Sequence, residues 1–292
     1  MSIVKSLSVG DGDMFYIKHG ADSFSIIDCC MSEEDKDSIV KELESESKYK
    51  TIKRFISTHP DDDHILGLDY LDSKMPILNF YCVENQATKP DETTEFKKYC
   101  ELRDSKKAFF LYRDCSRKWL NEKNEERGSA GIDILWPKTE NEYYKEALKK
   151  AEKGENPNNI SPIVEYRLED GVTMLWMGDL ESDFMDNIKD DLDLPAVDIL
   201  FAPHHGRGSG KLPKKWLDEM NPKIVIIGEA PSEDLNYYGD FNTITQNSAG
   251  NIEFECNTNK VHIYVSSEDY SVDFLENEHM STFSNYIGTL NV

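Results

Sequence analysis

Ser57-Thr58-His59-Pro60-Asp61-Asp62-Asp63-His64 stands between an apolar run containing Ile52, Phe55 and Ile56 and a second one, Ile65-Leu66-Gly67-Leu68-Asp69-Tyr70-Leu71. Two histidines and three carboxylates fall within six residues, a density that a packed interior does not tolerate unless a cation neutralises it. The first run predicts a buried strand and the second a helix, so the cluster occupies a strand-to-helix loop. Imidazoles and short carboxylates in such a loop can converge on two adjacent cations, His59 and Asp61 on one, Asp63 and His64 on the other. A solvated acidic turn whose histidines cap the helix is the competing reading.

Two later stretches offer partners for that loop. Alternation on both sides of Glu169-Asp170-Gly171 predicts a hairpin over residues 158–180, which leaves Asp179 just past a buried strand, next to Gly178. A carboxylate bridging two cations needs such a rigid perch, although a lone loop carboxylate is commoner. Further on, Val197-Asp198-Ile199-Leu200-Phe201 predicts another apolar strand, followed by His204-His205 and a glycine-rich loop with Arg207 and Lys211. A vicinal histidine pair suits one metal ligand and one substrate-contacting donor, or two turn histidines. The loop is no phosphate-binding P-loop, because His205 stands where its leading glycine belongs and no Ser or Thr follows Lys211. A G-x-S-x-G nucleophile elbow is also missing.

The remaining chain reads as strands over residues 3–30 ending at Asp28, a helix from Ser32 to about 48, and a strand at 77–83. A helix around Phe96–Leu102, strand-like Phe109–Tyr112, a strand at 132–137 and a helix at 139–153 follow. Asp28, at a strand end, is a turn residue or an orienter of a metal ligand. With 292 residues, 38% of them hydrophobic, the chain fits one elaborated α/β domain, carrying a charged insertion at about 84–127 and an acidic segment at about 266–292.

No apolar run long enough to span a bilayer and no basic-then-apolar start is present, so a cytoplasmic protein without a membrane partner is expected. The six cysteines lack C-x-x-C spacing and are expected reduced. The net charge of −23 disfavours broad electrostatic binding of duplex nucleic acid, and residues 229–292 carry eleven acids against Lys260 alone.

Taken in order, these motifs resemble the metallo-β-lactamase superfamily, and within it the soluble hydrolase domain of ComEC-type DNA-uptake channels. His59-Pro60-Asp61-Asp62-Asp63-His64 is similar to the superfamily's HxHxDH, with Asp61 at the middle histidine. Val9-Gly10-Asp11-Gly12-Asp13 resembles a VGQGD turn, Asn158-Asn159-Ile160-Ser161 an NNxS segment, and Trp176-Met177-Gly178-Asp179-Leu180-Glu181 an LLTGDLE segment. Ala202-Pro203-His204-His205-Gly206 resembles PHHGS, and Thr245 to Ile252 a final T-x-x-x-G-x-I hairpin. Departures are Arg207 for the usual serine, Asn236-Tyr237-Tyr238-Gly239-Asp240 without the usual His and Pro, and no histidine between His64 and Asp179.

The resemblance implies a four-layer αβ/βα sandwich with two divalent metal ions at one edge, zinc or manganese with magnesium as a third choice for so carboxylate-rich a set. It carries over His59, Asp61, Asp63, His64, Asp179 and His204 as metal ligands, His204 being favoured over His205. Asp63 and His205 then serve in catalysis, and Asn159, Ser161, Arg207 and Lys211 bind substrate. The implied reaction is phosphodiester hydrolysis by a metal-bridging hydroxide, nuclease-like, on single-stranded nucleic acid or a small nucleotide. Two other readings stand beside it: a lactone or thioester hydrolase, and a metal-stabilised subunit of a bacterial toxin or phage-defence assembly, which would have a protein partner or a second copy of itself.

Overall fold

The computed structural model describes residues 1–280 and 285–292. Alternation along the strands decides which layer each side chain enters. Phe15 and Ile17 of strand Phe15–Lys18 join one apolar cluster and Tyr16 another. Ile56 and Phe55 of strand Ile52–Ile56 divide the same way, as do Tyr81 and Val83 against Phe80 and Cys82 in strand Phe80–Val83. Each of these strands is therefore apolar on both faces and must be covered on both.

The first sheet has nine strands in the spatial order Tyr286–Asn291, Lys260–Val265, Ile252–Asn257, Ser2–Ser6, Phe15–Lys18, Ser23–Ile27, Ile52–Ile56, Phe80–Val83 and Ala108–Leu111. Pairing is antiparallel as far as Ser23–Ile27 and parallel beyond it. The second sheet runs Thr243–Thr245, Ile224–Ile227, Ile199–Phe201, Thr173–Trp176, Ile163–Arg167 and Ile132–Trp136, parallel over the first four and antiparallel over the last three. The inner faces meet in aromatic packing: Trp176 stacks on Phe201 at 4.6 Å between centroids, and Phe15 meets Phe201 edge-on at 5.0 Å.

Helices Lys36–Glu46, Leu68–Lys74 and Thr94–Arg103 cover the outer face of the first sheet with Val40, Leu43, Leu68, Leu71, Phe96, Tyr99 and Leu102. Helices Glu142–Glu152 and Ser182–Ile188 cover the second, where Tyr144 and Phe184 pack edge-on against Trp136. The result is the αβ/βα layering expected of the sequence.

Local chemistry explains where the helices start. Asn141 and Thr93 cap their helices by accepting from the N–H of Tyr144 and Phe96, so the helix expected from residue 139 begins at Glu142. Ser32 accepts from the N–H of Glu34 and Asp35 in a turn of its own, which moves the helix expected from there to Lys36. The segment 84–127 supplies helix Thr94–Arg103 and the edge strand Ala108–Leu111, and is thus partly built into the layers. The acidic segment 266–292 ends in the opposite edge strand, Tyr286–Asn291, and includes four residues outside the described ones. Among the described residues no helix is long and apolar enough to cross a membrane.

Parallel strands deliver their C-terminal ends to one side. The loops after Ile27, Ile56, Trp176 and Phe201 therefore emerge along a common edge, the place where open α/β sheets present ligand-binding groups.

Candidate metal centre

Asp28 heads the first of these loops in a left-handed conformation, φ +57°. Its carboxylate accepts from Thr58 N at 2.7 Å, Thr58 Oγ1 at 2.6 Å and His64 Nδ1 at 2.9 Å. With Nδ1 so engaged, His64 turns Nε2 inward, 3.0 Å from Asp179 Oδ1. His59 is fixed in the same manner. Thr58 Oγ1 gives its proton to Asp28 and so accepts from His59 Nδ1, 3.1 Å away, while Ser161 Oγ stands 3.2 Å from that nitrogen. This tautomer leaves a lone pair on His59 Nε2, 4.0 Å from Asp179 Oδ2.

Asp179 sits at the middle. Ser161 Oγ accepts from its backbone N–H at 3.3 Å, and Gly178 before it has φ +51°. A Cβ on Gly178 would lie 2.7 Å from Ser161 Oγ and 2.9 Å from Thr58 Cβ, so only glycine brings the strand end this close to the histidine loop. His204 and His205, both with positive φ, turn back over the same carboxylate, and the Nε2 atom of each lies 3.5 Å from Asp179 Oδ2. Distance does not separate the two histidines, but burial does. His205 is buried, donates from Nδ1 to Asp13 Oδ1 at 3.0 Å and has Asp63 Oδ2 3.3 Å from Nε2, whereas His204 is more open and pairs with Ser209 Oγ.

Four inward-facing atoms, His59 Nε2, His64 Nε2, His205 Nε2 and Asp179 Oδ1, are buried without a hydrogen-bond partner; the 3.0 Å approach of His64 to Asp179 lacks hydrogen-bond alignment. Each such group costs roughly 1–3 kcal/mol if nothing satisfies it, and borderline N and hard O donors around one point are what a divalent cation satisfies. Asp13, His64, Asp179 and His205 each offer a ligand atom within 4.8 Å of the others, a candidate metal-binding group.

Electrostatics follow from this crowding. Burial alone would lower His64, but Asp179 and Asp28 outweigh it and raise it, and Asp13, Asp179 and Asp63 likewise raise His205 against its burial. Burial, reinforced by His64, lowers His59 to about 3. Asp63 is pushed up by burial yet held at about 2 by the close approach of His205 and the charge of His64. Asp179 is held low by His64 and His205 in spite of its burial.

The other expected site residues lie in three places. Asp61 caps the short helix Asp62–Ile65 and pairs with Lys89 Nζ at 2.9 Å. Ser161 is fully buried behind His59 and Asp179, and Asn159 is occupied by Glu181, donating to its carboxylate and accepting from its N–H. Arg207 pairs with Asp11 at 3.2 Å and the Lys211 ammonium lies 5.2 Å from the Tyr237 ring centroid. Sequence reasoning missed Asp13 and Lys89. The Gly10-Asp11-Gly12-Asp13 turn was the available signal for the first; a lone lysine in a polar stretch gave none for the second.

No family model matches the chain, and no curated protein does. Among solved structures it is similar to the metallo-β-lactamase fold protein YhfI from Bacillus subtilis, at 10% identity over 84% of this chain and 96% of that one, with a TM-score of 0.48. It is also similar to CmlA, a diiron β-hydroxylase from Streptomyces venezuelae, at 12% identity over 78% of this chain and 44% of that one, with a TM-score of 0.44.

Proposed function

We propose that this chain is a metal-dependent hydrolase of the metallo-β-lactamase type that cleaves phosphodiester bonds in single-stranded nucleic acid or small nucleotides. The observation that carries the reading is the set of buried, unpartnered nitrogens and carboxylate oxygen on His59, His64, His205 and Asp179, delivered by three loops distant in sequence. The ordered motif set that resembles the ComEC-type hydrolase domain supports the substrate class.

Asp13, His64, Asp179 and His205 would hold the cation, with His59 at its side. A divalent ion there, zinc, manganese or magnesium, would supply Lewis acidity toward a phosphoryl oxygen and lower the pKa of a water. The chain's own residues do the rest. Asp63 is the most open carboxylate of the group after Asp61 and is placed to take a proton from an attacking water. His204, partly exposed and steadied by Ser209, is placed to hand a proton to the leaving oxygen. Arg207 and Lys211, in the loop that follows His204-His205, add positive charge to a chain whose net charge of −23 repels long polyanions, which favours short or unpaired substrates.

The test is incubation of the metal-loaded chain with labelled single strands, duplexes and cyclic dinucleotides. Cleavage of single strands or a cyclic dinucleotide that disappears in a folded Asp179→Asn variant is expected. A metal-loaded chain inert to the whole panel would defeat the phosphodiester reading.

A further inference from the structure

The histidine loop offers Asp61 as the carboxylate for a second cation beside His59, yet its Oδ1 is 2.9 Å from Lys89 Nζ, and the same ammonium is 2.7 Å from Asp62 Oδ1. Lys89 is no loose surface cation. Its side chain is only 15% exposed, its Nζ lies 5.7 Å from the Phe96 ring centroid, and the preceding Thr88 is tied to the end of helix Glu142–Glu152 through Ala151 O and Glu152 O. The ammonium is thus delivered to Asp61 by an anchored backbone.

The half of the site it reaches is also the poorer one. Among the described residues, the group able to share an ion consists of Asp13, His64, Asp179 and His205 and contains neither His59 nor Asp61. No histidine lies between His64 and Asp179 in the sequence to add a third donor there. An ion bound by His59, Asp61 and a share of Asp179 would have only three protein donors, and drawing Oδ1 of Asp61 would cost its charge-assisted hydrogen bond from Lys89.

We propose that the Lys89 ammonium takes the place of one cation, so that the site works with a single divalent ion and a fixed positive charge beside it. This rests on the metal reading above. An ammonium has three N–H donors; Asp61 and Asp62 use two, which leaves one for an anionic substrate oxygen.

The experiment is manganese titration of the full chain, read by calorimetry and by electron paramagnetic resonance, for the wild type, Lys89→Met and Lys89→Arg. One equivalent with an isolated-ion spectrum is expected for the wild type and Lys89→Arg. In Lys89→Met a second ion should bind about tenfold more tightly than any second ion in the wild type, with an exchange-coupled spectrum. Two tight equivalents in the wild type, or a folded Lys89→Met that stays at one, would overturn the assignment of Lys89 and leave the metal reading standing. Uptake of no manganese, zinc or magnesium would overturn both.

Discussion

Asp28 Oδ2 lies 2.9 Å from His64 Nδ1, and this contact between residues 36 apart decides which nitrogen of His64 faces the centre. The same carboxylate sets His59 through Thr58, so one buried acid orients both imidazoles of the histidine loop.

Asp28→Asn keeps the side-chain size and removes the charge. Affinity for zinc or manganese is expected to fall about 10–100-fold, measured by chelator competition, with far-ultraviolet circular dichroism unchanged. Unaltered affinity would mean that Asp28 serves the turn alone.

Gly178→Ala places a methyl 2.7 Å from Ser161 Oγ at a positive φ. Conformational strain and overlap together should destabilise the chain by about 2 kcal/mol, read as a lower urea midpoint. Because Asp179 moves with its neighbour, metal affinity should fall as well.

The surrounding carboxylates raise His64 and His205 against their burial, so cation uptake is expected to displace protons. Calorimetric titration with zinc in two buffers of different ionisation enthalpy is expected to show net proton release, and affinity should strengthen as pH rises from 6 to 8. Equal heats in the two buffers would contradict this electrostatic picture.

His19 gives an acid-stability prediction away from the centre. It is buried against Ser25 Oγ, and burial first, then Arg54 and Lys50, hold it well below 6.5. The unfolded chain takes up this proton near pH 6.5 and the folded chain does not, so its contribution is complete above that pH and is lost as pH falls below it. Unfolding free energy between pH 6 and 5 should drop less steeply in His19→Gln, by up to one proton, about 1.4 kcal/mol per pH unit.

Much of this was legible in the sequence because it depends on local pattern. Apolar runs marked Phe15–Lys18 and Ile52–Ile56 as strands, and strand-end carboxylates and histidines marked Asp28, Asp179 and His204-His205. The direction in which a side chain turns was not legible. Asp61 and Asp63 are two residues apart, but the N-cap geometry of Asp61 sends it to Lys89 while Asp63 faces His205. The resemblance favoured His204 of the vicinal pair as the ligand, whereas it is His205 that is buried and contacts Asp13, 192 residues away. The segment 84–127 read as a charged insertion because helix Thr94–Arg103 buries only a narrow stripe of Phe96, Tyr99 and Leu102 amid charged residues.

Elemental analysis of the purified chain beside its Asp179→Ala variant bears most directly on the account, because Asp179 is the carboxylate that His59, His64, His204 and His205 all face. About one equivalent of a divalent transition metal or its uptake at micromolar concentration, lost in a variant that remains folded, is the predicted result. A folded wild type that binds no divalent cation at millimolar concentration would contradict it.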